Sequence, residues 1–370
     1  MAAPPPATPS AVATEAKPPT ATEAMAATRP DVLPPIDVGA WARVGGKFQG
    51  TDPSKVNDWH MDNEYVELHA GGKITKKIGV TLNLNANMTS FSPNGAAVEI
   101  MDAIVSFDFI DEFHLWAGHL LVPVDRANSS GPFFMIPWNY PGFFSAQFVG
   151  APAEGPSGRN NGMNLWGDIA GGKFNYIVGV FDNANIGSSP LYSGRLRLAL
   201  LDPEPGFWGN GSYFGDKDLL TIDVGAQVQG TQGRPAGSKT YADINFDALF
   251  EKKIPGGGFV TVEGGYYHFN VDTGGVSDSL YALAAYATPT VGVGNIQPMV
   301  RFQWEKVKGN EAFTNPWNLD VGLSYLIKGP ALRVLATYSY TKDLFVDATT
   351  MTGSNTTASS IQLGAQAIFF

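Results

Sequence analysis

A chain of 370 residues can hold two ordinary soluble domains or one large barrel, and 43 glycines, 12% aromatics and only 16% charged residues lean away from two soluble cores. The absence of cysteine excludes disulfides, thiolate zinc sites and cysteine nucleophiles, and a net charge of -10 with no cluster of Lys and Arg argues against a general nucleic-acid binder. No run of about 18 apolar residues is present to cross a membrane as a helix. A mean hydropathy of -0.06 is nevertheless what remains when apolar and polar residues alternate and the average cancels.

Residues 1–35 form a distinct segment, rich in Pro, Ala and Thr, with nine of the chain's 26 prolines. They read as a disordered tail, a spacer or an arm reaching a periplasmic partner. They lack a charged start followed by an apolar stretch, so an export signal is expected to have been removed or to lie outside this sequence.

From Ile36 to Phe370 the pattern has period two, broken by Gly, Pro, Asn and Asp clusters. Sixteen strands are predicted, near residues 36–50, 60–71, 77–91, 98–109, 113–122, 162–171, 173–182, 191–201, 218–229, 240–253, 258–271, 278–288, 296–307, 317–328, 331–341 and 360–370. An even count with both ends on one side is what a closed antiparallel barrel needs. With the first strand running outward, connections after odd strands should be long and external, and those after even strands short. Ile110 to Glu112, Gly171-Gly172, Pro255-Gly256-Gly257 and Gly329-Pro330 are the short set, while 51–59, 123–161, 230–239 and 342–359 are the long one. Asp202 to Lys217 breaks the rule by following the eighth strand at length.

The fourteenth strand separates two faces most clearly. Trp317, Leu319, Val321, Leu323, Tyr325 and Ile327 share one parity, and Asn318, Asp320, Gly322 and Ser324 the other. Trp317 and Tyr325, eight residues apart, would span roughly 19 Å at about 45° of tilt, close to an aromatic-bounded lipid band. In the third strand Val80, Leu82 and Leu84 alternate with Thr81, Asn83 and Asn85, a polar inner row that a sandwich core would not hold. The final residues place Ile361, Leu363, Ala365, Ala367 and Phe369 on one parity.

The longest connection, 123–161, carries Phe133, Phe134, Met135, Ile136, Trp138, Tyr140, Phe143 and Phe144 among prolines and glycines, with Asp125, Arg126, Glu154 and Arg159 near its ends. So apolar a segment needs burial. One reading folds it inward so that its aromatics shape the narrowest passage, with Asp125 and Arg126 at its base; the other packs it on the wall or a neighbouring subunit. On the strand parities Arg43, Lys47, Arg195, Arg197, Arg301 and Arg333 point inward, against Asp37, Asp102, Asp108, Asp223, Asp243, Asp247, Glu305 and Asp320. Arg195 and Arg197 form either a basic step in the lumen or wall salt bridges with Asp223, Asp243 or Asp247. The candidate pore-lining set is Asp125, Arg126, Phe133, Phe134, Trp138, Tyr140, Arg195, Arg197, Arg301, Arg333, Asp243 and Asp247.

The five histidines give no catalytic signature. His114 and His119 are five apart, on opposite faces of a strand, and His60, His69 and His268 sit near strand ends. No catalytic, cofactor-binding or metal-ligating residue is assigned. The rival readings to a channel are a structural or adhesive barrel and an outer-membrane hydrolase.

Residues 98–126, VEIMDAIVSFDFIDEFHLWAGHLLVPVDR, with Asp102-Ala103, Ala117-Gly118 and Val122-Pro123, resemble the porin family that includes the phosphate-selective porins O and P; 213–230, YFGDKDLLTIDVGAQVQG, is similar to a later strand entry of that family. The resemblance implies a 16-stranded antiparallel transmembrane β-barrel of the bacterial outer membrane. It further implies a homotrimer, a third external loop folded into the lumen, lipid around the wall and small hydrophilic solutes diffusing through. The chain departs from the phosphate-selective members in having only nine arginines, opposed by inward acids. A weakly selective channel with no cofactor is therefore expected, without the phosphate preference.

Overall fold

The computed structural model describes residues 35–50, 58–60, 63–87, 98–141, 158–182, 189–232, 239–270, 276–307, 315–344 and 356–369. The predicted tail, apart from Pro35, lies outside the described residues, as do Phe143, Phe144 and Glu154.

Sixteen wall positions make one antiparallel sheet. In chain order they are β1 (Ile36–Gly50), β2 (Asn63–Lys73), β3 (Ile78–Asn87), β4 (Val98–Ile110), β5 (Phe113–Leu121), β6 (Arg159–Ile169), β7 (Phe174–Phe181) and β8 (Leu191–Ala199). They continue as β9 (Leu219–Gln229), β10 (Tyr241–Lys253), β11 (Phe259–Phe269), β12 (Val276–Ala287), β13 (Asn295–Val307), β14 (Trp317–Lys328), β15 (Leu332–Leu344) and β16 (Thr356–Phe369). A three-residue strand, Asp58–His60, pairs with β1 as β2 does, and so extends that wall position rather than adding one. Each strand pairs with its sequence neighbour, and β16 returns to β1 in the register Val44↔Ala365. Closure leaves no edge strand exposed.

Alternation decides which face meets which medium. Val44, Leu196, Val262 and Leu323 are 44 to 53% exposed on the outside, whereas Arg43, Arg195 and Asp320 on the inside are 1 to 2% exposed. An apolar band of this extent around a whole molecule is stable only when covered by lipid, since each such side chain left in water forgoes about 1.5 to 3 kcal/mol. Trp317 stacks between Phe302 and Tyr340, with centroids 6.3 and 5.4 Å away, and the Tyr325 hydroxyl donates to the Val291 carbonyl at 2.8 Å. Both ends of the predicted aromatic-bounded stretch are thus fixed. Asn83 and Asn85 on the inner face of β3 are buried, as the parity required.

Leu323→Arg places a charge on the outer face near the middle of β14, and should lower the folding equilibrium into lipid vesicles by about 2 to 4 kcal/mol. Ser324→Ala, on the opposite face, should change it far less. Denaturant titration of both variants in vesicles checks this, and a neutral Leu323→Arg would mean that lipid does not cover that face.

Candidate functional site

The connection between β5 and β6 begins with Val122, Pro123 and Val124, all buried, and passes into a five-residue helix, α1 (Arg126–Ser130). Asp125 caps it: Oδ1 accepts from the Asn128 amide at 2.7 Å and Oδ2 from the Tyr267 hydroxyl at 2.6 Å. Burial pushes the Asp125 carboxyl up, while those two donors pull it back down. The backbone approaches the wall closely at β9, where a Cβ on Gly225 would lie 2.0 Å from the Val124 carbonyl oxygen. Only glycine allows that contact.

Arg126 has no solvent exposure, and both terminal nitrogens of its guanidinium bond protein. Nη1 and Nη2 clasp the two oxygens of Glu204 at 2.7 and 2.9 Å, and Nη2 also reaches Asp223 Oδ2 at 2.7 Å and Thr221 Oγ1 at 2.6 Å. Its amide donates to Asp247 Oδ2 at 3.1 Å. Arg195 joins from β8, donating to Ser129 Oγ at 2.7 Å and lying 3.2 Å from Asp223 and 3.3 Å from Asp247. Arg197 sits 3.2 Å from Asp223 and 3.3 Å from Glu204. Three guanidiniums and three carboxyl groups therefore share one buried cluster. Burial alone would lower the Arg126 pKa, but Glu204 and Asp223 hold it well above its ordinary value. Burial likewise opposes the ionised form of Glu204, yet Arg126 and Arg197 bring that carboxyl down to about 2.

Glu204 belongs to the connection between β8 and β9, at the rim opposite α1's own connection, and this is the stretch that broke the length rule. Its length is used inside. Phe207 packs against Trp116 and Trp166, with centroids 4.8 and 6.0 Å away, and the Ser212 amide donates to the Phe134 carbonyl at 3.1 Å. Glu251 accepts from Ser212 Oγ at 2.7 Å and the Gly215 amide at 2.8 Å. Tyr213 donates its hydroxyl to Glu204 at 2.7 Å, and burial together with that carboxylate raises the phenol above its usual range.

The aromatic stretch after α1 is held by the remaining inward arginines. Arg43 donates to the Trp138 carbonyl at 2.6 Å while lying over the Trp138 ring at 3.9 Å. Arg333 donates to the Ile136 carbonyl at 3.2 Å, and Gln366 to the Phe133 carbonyl at 2.9 Å. Arg301 bonds the Asn139 carbonyl at 2.7 Å and pairs with Asp320 at 2.7 Å. The Trp138 ring lies on glycine: a Cβ at Gly364 would meet it at 2.5 Å. Of the sequence-predicted residues, Asp125, Arg126, Arg195, Arg197 and Asp247 thus come together at one end of this connection. Phe133, Trp138, Arg301 and Arg333 meet along its other part, where Phe134 and Tyr140 are half-buried. Asp243 is buried and accepts from the Tyr241 hydroxyl at 2.7 Å.

Beside these contacts lies a cavity of about 810 Å³, walled by inward residues of β1 to β5 and by Ser129 to Phe134, Trp208 and Asn210. None of Arg126, Arg195, Arg197, Arg301, Arg333, Asp243 or Asp247 lines it; Phe133 and Phe134 do. The other lining residues include Trp41, Glu67, His69, Asn83, Trp116 and Trp208. None of these six is among the residues singled out from the sequence as lining the pore. Glu67 and His69 share a parity with each other, and Trp41 with Arg43, but parity assigns a face without telling open space from packed space. The excess length of 202–217 was the signal for Glu204 and Trp208.

No protein-family profile matches the chain, and no curated protein does. Among solved structures, an anion-selective porin from Comamonas acidovorans superposes with a TM-score of 0.62 at 13% identity, over 91% of this chain and 100% of that one. A loop-deletion mutant of OmpT, an outer membrane protein of Vibrio cholerae, gives 0.57 at 11% identity, over 90% of this chain and 99% of that one. A mutant of Rh. blastica porin gives 0.51 at 13%, over 90% and 100%. The fold is therefore the closed 16-stranded barrel of outer-membrane porins.

Glu204→Gln should leave Arg126 and Arg197 with an uncompensated buried charge and destabilise the barrel by about 3 to 5 kcal/mol at pH 7. Because the Glu204 pKa is depressed from 4.5 to about 2, its stabilisation is fully present above pH 4.5 and is lost as pH falls toward 2. The gap in Tm between wild type and variant, measured in detergent, should shrink over that window. A gap that stays constant from pH 7 to pH 2.5 would contradict the pairing.

Proposed function

We propose that the protein is an outer-membrane porin, a water-filled channel through which small hydrophilic solutes and ions diffuse passively with weak selectivity. A sixteen-stranded barrel is wide enough to leave an aqueous lumen unless something enters it. The observation that carries the reading is that residues 122–141 bond to inward-facing side chains of β1, β8, β9, β10, β11, β13, β15 and β16 and leave a cavity on the β1 to β5 side. On this reading the connection 123–161 is the constriction loop, and Phe133 and Phe134 stand at the narrow point. The porin likeness supports assembly as a homotrimer in the outer membrane, with lipid around the band of exposed apolar residues. Charge supports weak selectivity: Arg126, Arg195, Arg197 and Arg301 each lie against a carboxylate, which tempers the field of a single sign.

Planar-bilayer recording tests this. The full chain should give discrete ohmic steps, and excising residues 131–144 with a short glycine bridge should raise single-channel conductance while the heat-dependent gel shift of the folded barrel persists. Absence of steps would favour an anchoring barrel or an enzyme. Unchanged conductance after the excision would mean that the loop does not set the bore.

A further inference from the structure

The cavity beside β1 to β5 has a chemistry of its own. Three indoles, Trp41, Trp116 and Trp208, and the Phe133 and Phe134 rings give it aromatic walls. Its ionisable lining is Asp37, Glu67 and Asp102 against Arg159 and His69, so carboxyl groups outnumber basic ones.

These groups are linked in order along the wall. Glu67 Oε2 lies 3.1 Å from His69 Nε2, and His69 Nδ1 lies 2.9 Å from Asn83 Oδ1. The Asn83 amide donates to Asp102 Oδ2 at 2.9 Å, and Arg159 Nε approaches Asp102 Oδ1 at 3.3 Å. The amide of Asn83 is oriented by Asp102, so its oxygen faces His69 and the imidazole must donate from Nδ1. Arg159 is thereby committed to Asp102, which leaves Asp37 and Glu67 as the carboxylates without a guanidinium. Glu67 is only 2% exposed, and its Oε1 has no hydrogen-bond partner. A buried carboxylate oxygen left unpaired costs free energy that a donor brought by a solute would recover. Trp41, which lies 3.9 Å from the His69 ring, adds an aromatic surface next to that carboxylate.

We infer that this cavity binds amphipathic organic cations, primary ammonium compounds with an aromatic or aliphatic body. The inference rests on the channel reading above and names the solute class of the same passage. The ammonium is held by Glu67 and Asp37 and over an indole face, where cation–π attraction strengthens as water is excluded. The apolar body takes the Trp and Phe walls, and a volume of about 810 Å³ admits a molecule of drug-like size. An anion would meet three carboxylates, and a neutral sugar would gain the aromatic walls without the charge term.

The test is isothermal calorimetry on the full chain folded in detergent, with phenethylammonium chloride as probe. Binding is expected, with 2-phenylethanol, phenylacetate and glucose weaker by tenfold or more. Glu67→Gln should weaken the amine by about tenfold, the loss of one charge-assisted hydrogen bond, and leave 2-phenylethanol unchanged. Asp37→Asn, at an exposed position that cannot threaten folding, should weaken the amine by a smaller factor in the same direction. The proposal is overturned if the amine releases no heat, if phenylethanol or glucose matches it, if phenylacetate binds better, or if both variants bind the amine as wild type does. Bilayer steps recorded in potassium chloride alone separate the two readings. Steps without amine binding remove the inference and keep the channel, whereas amine binding without steps keeps the site and removes the channel.

Discussion

Everything inside the barrel depends on one guanidinium. Arg126 stands on a five-residue helix, yet it bonds a carboxylate from the opposite rim, two carboxylates of the wall, a wall hydroxyl and the Asn210 carbonyl, the last at 2.9 Å. A buried ion pair gains little over an apolar substitute when counted as stability, because both ions lose their water. Its value here is geometric. An arginine's donors lie in one fixed plane, so the bonds that Nη1 and Nη2 make to Glu204, Asp223, Thr221 and Asn210 fix the helix, the 200–218 connection and β9 relative to one another. Arg195 and Arg197 reach the same carboxylates, so loss of one partner weakens several pairs at once.

The same logic explains where the inward arginines go. Arg43, Arg301 and Arg333 donate to the carbonyls of Trp138, Asn139 and Ile136, in a segment that has too few backbone partners of its own. A loop without regular structure must find acceptors and donors elsewhere if it is to be buried. Long basic side chains on the inner wall supply them. These three side chains are thereby committed to backbone, whereas the cavity along β1 to β5 is lined by Asp37, Glu67 and Asp102 with Arg159 and His69. The likeness to an anion-selective porin at 13% identity is thus one of fold.

The barrel was legible because its signal repeats. Period two over sixteen segments, and the sorting of long and short connections, each follow from lipid outside and water inside, so a single strand such as β14 already displays the rule. Inward parity for Arg43, Asp102, Arg195, Arg301 and Asp320 could be read in the same way, and all five are buried. What parity does not carry is the partner. Arg195 and Arg197 share a face, but whether they meet water or Asp223 depends on register with β9, set by Asp223↔Arg197 pairing across strands, and on Glu204, which arrives from 78 residues beyond Arg126 in no periodic pattern. His69 was passed over as a strand-end histidine for the same reason. Its neighbours Trp41 and Asn83 lie on the two flanking strands, and only the pairing of β2 with β1 and with β3 brings them together.

The central claim is that one side of the barrel interior is packed around Arg126 and the other is open. The chain has no cysteine, so a single introduced thiol reports without background. Thr81, a cavity-lining residue of β3, and Thr221, fully buried against Arg126 on β9, make the comparison. With a membrane-impermeant cationic thiol reagent applied to single channels, Thr81→Cys should react rapidly and reduce conductance, and Thr221→Cys should stay unmodified. Rapid modification of Thr221→Cys with an inert Thr81→Cys would place the open passage on the wrong side and contradict the account.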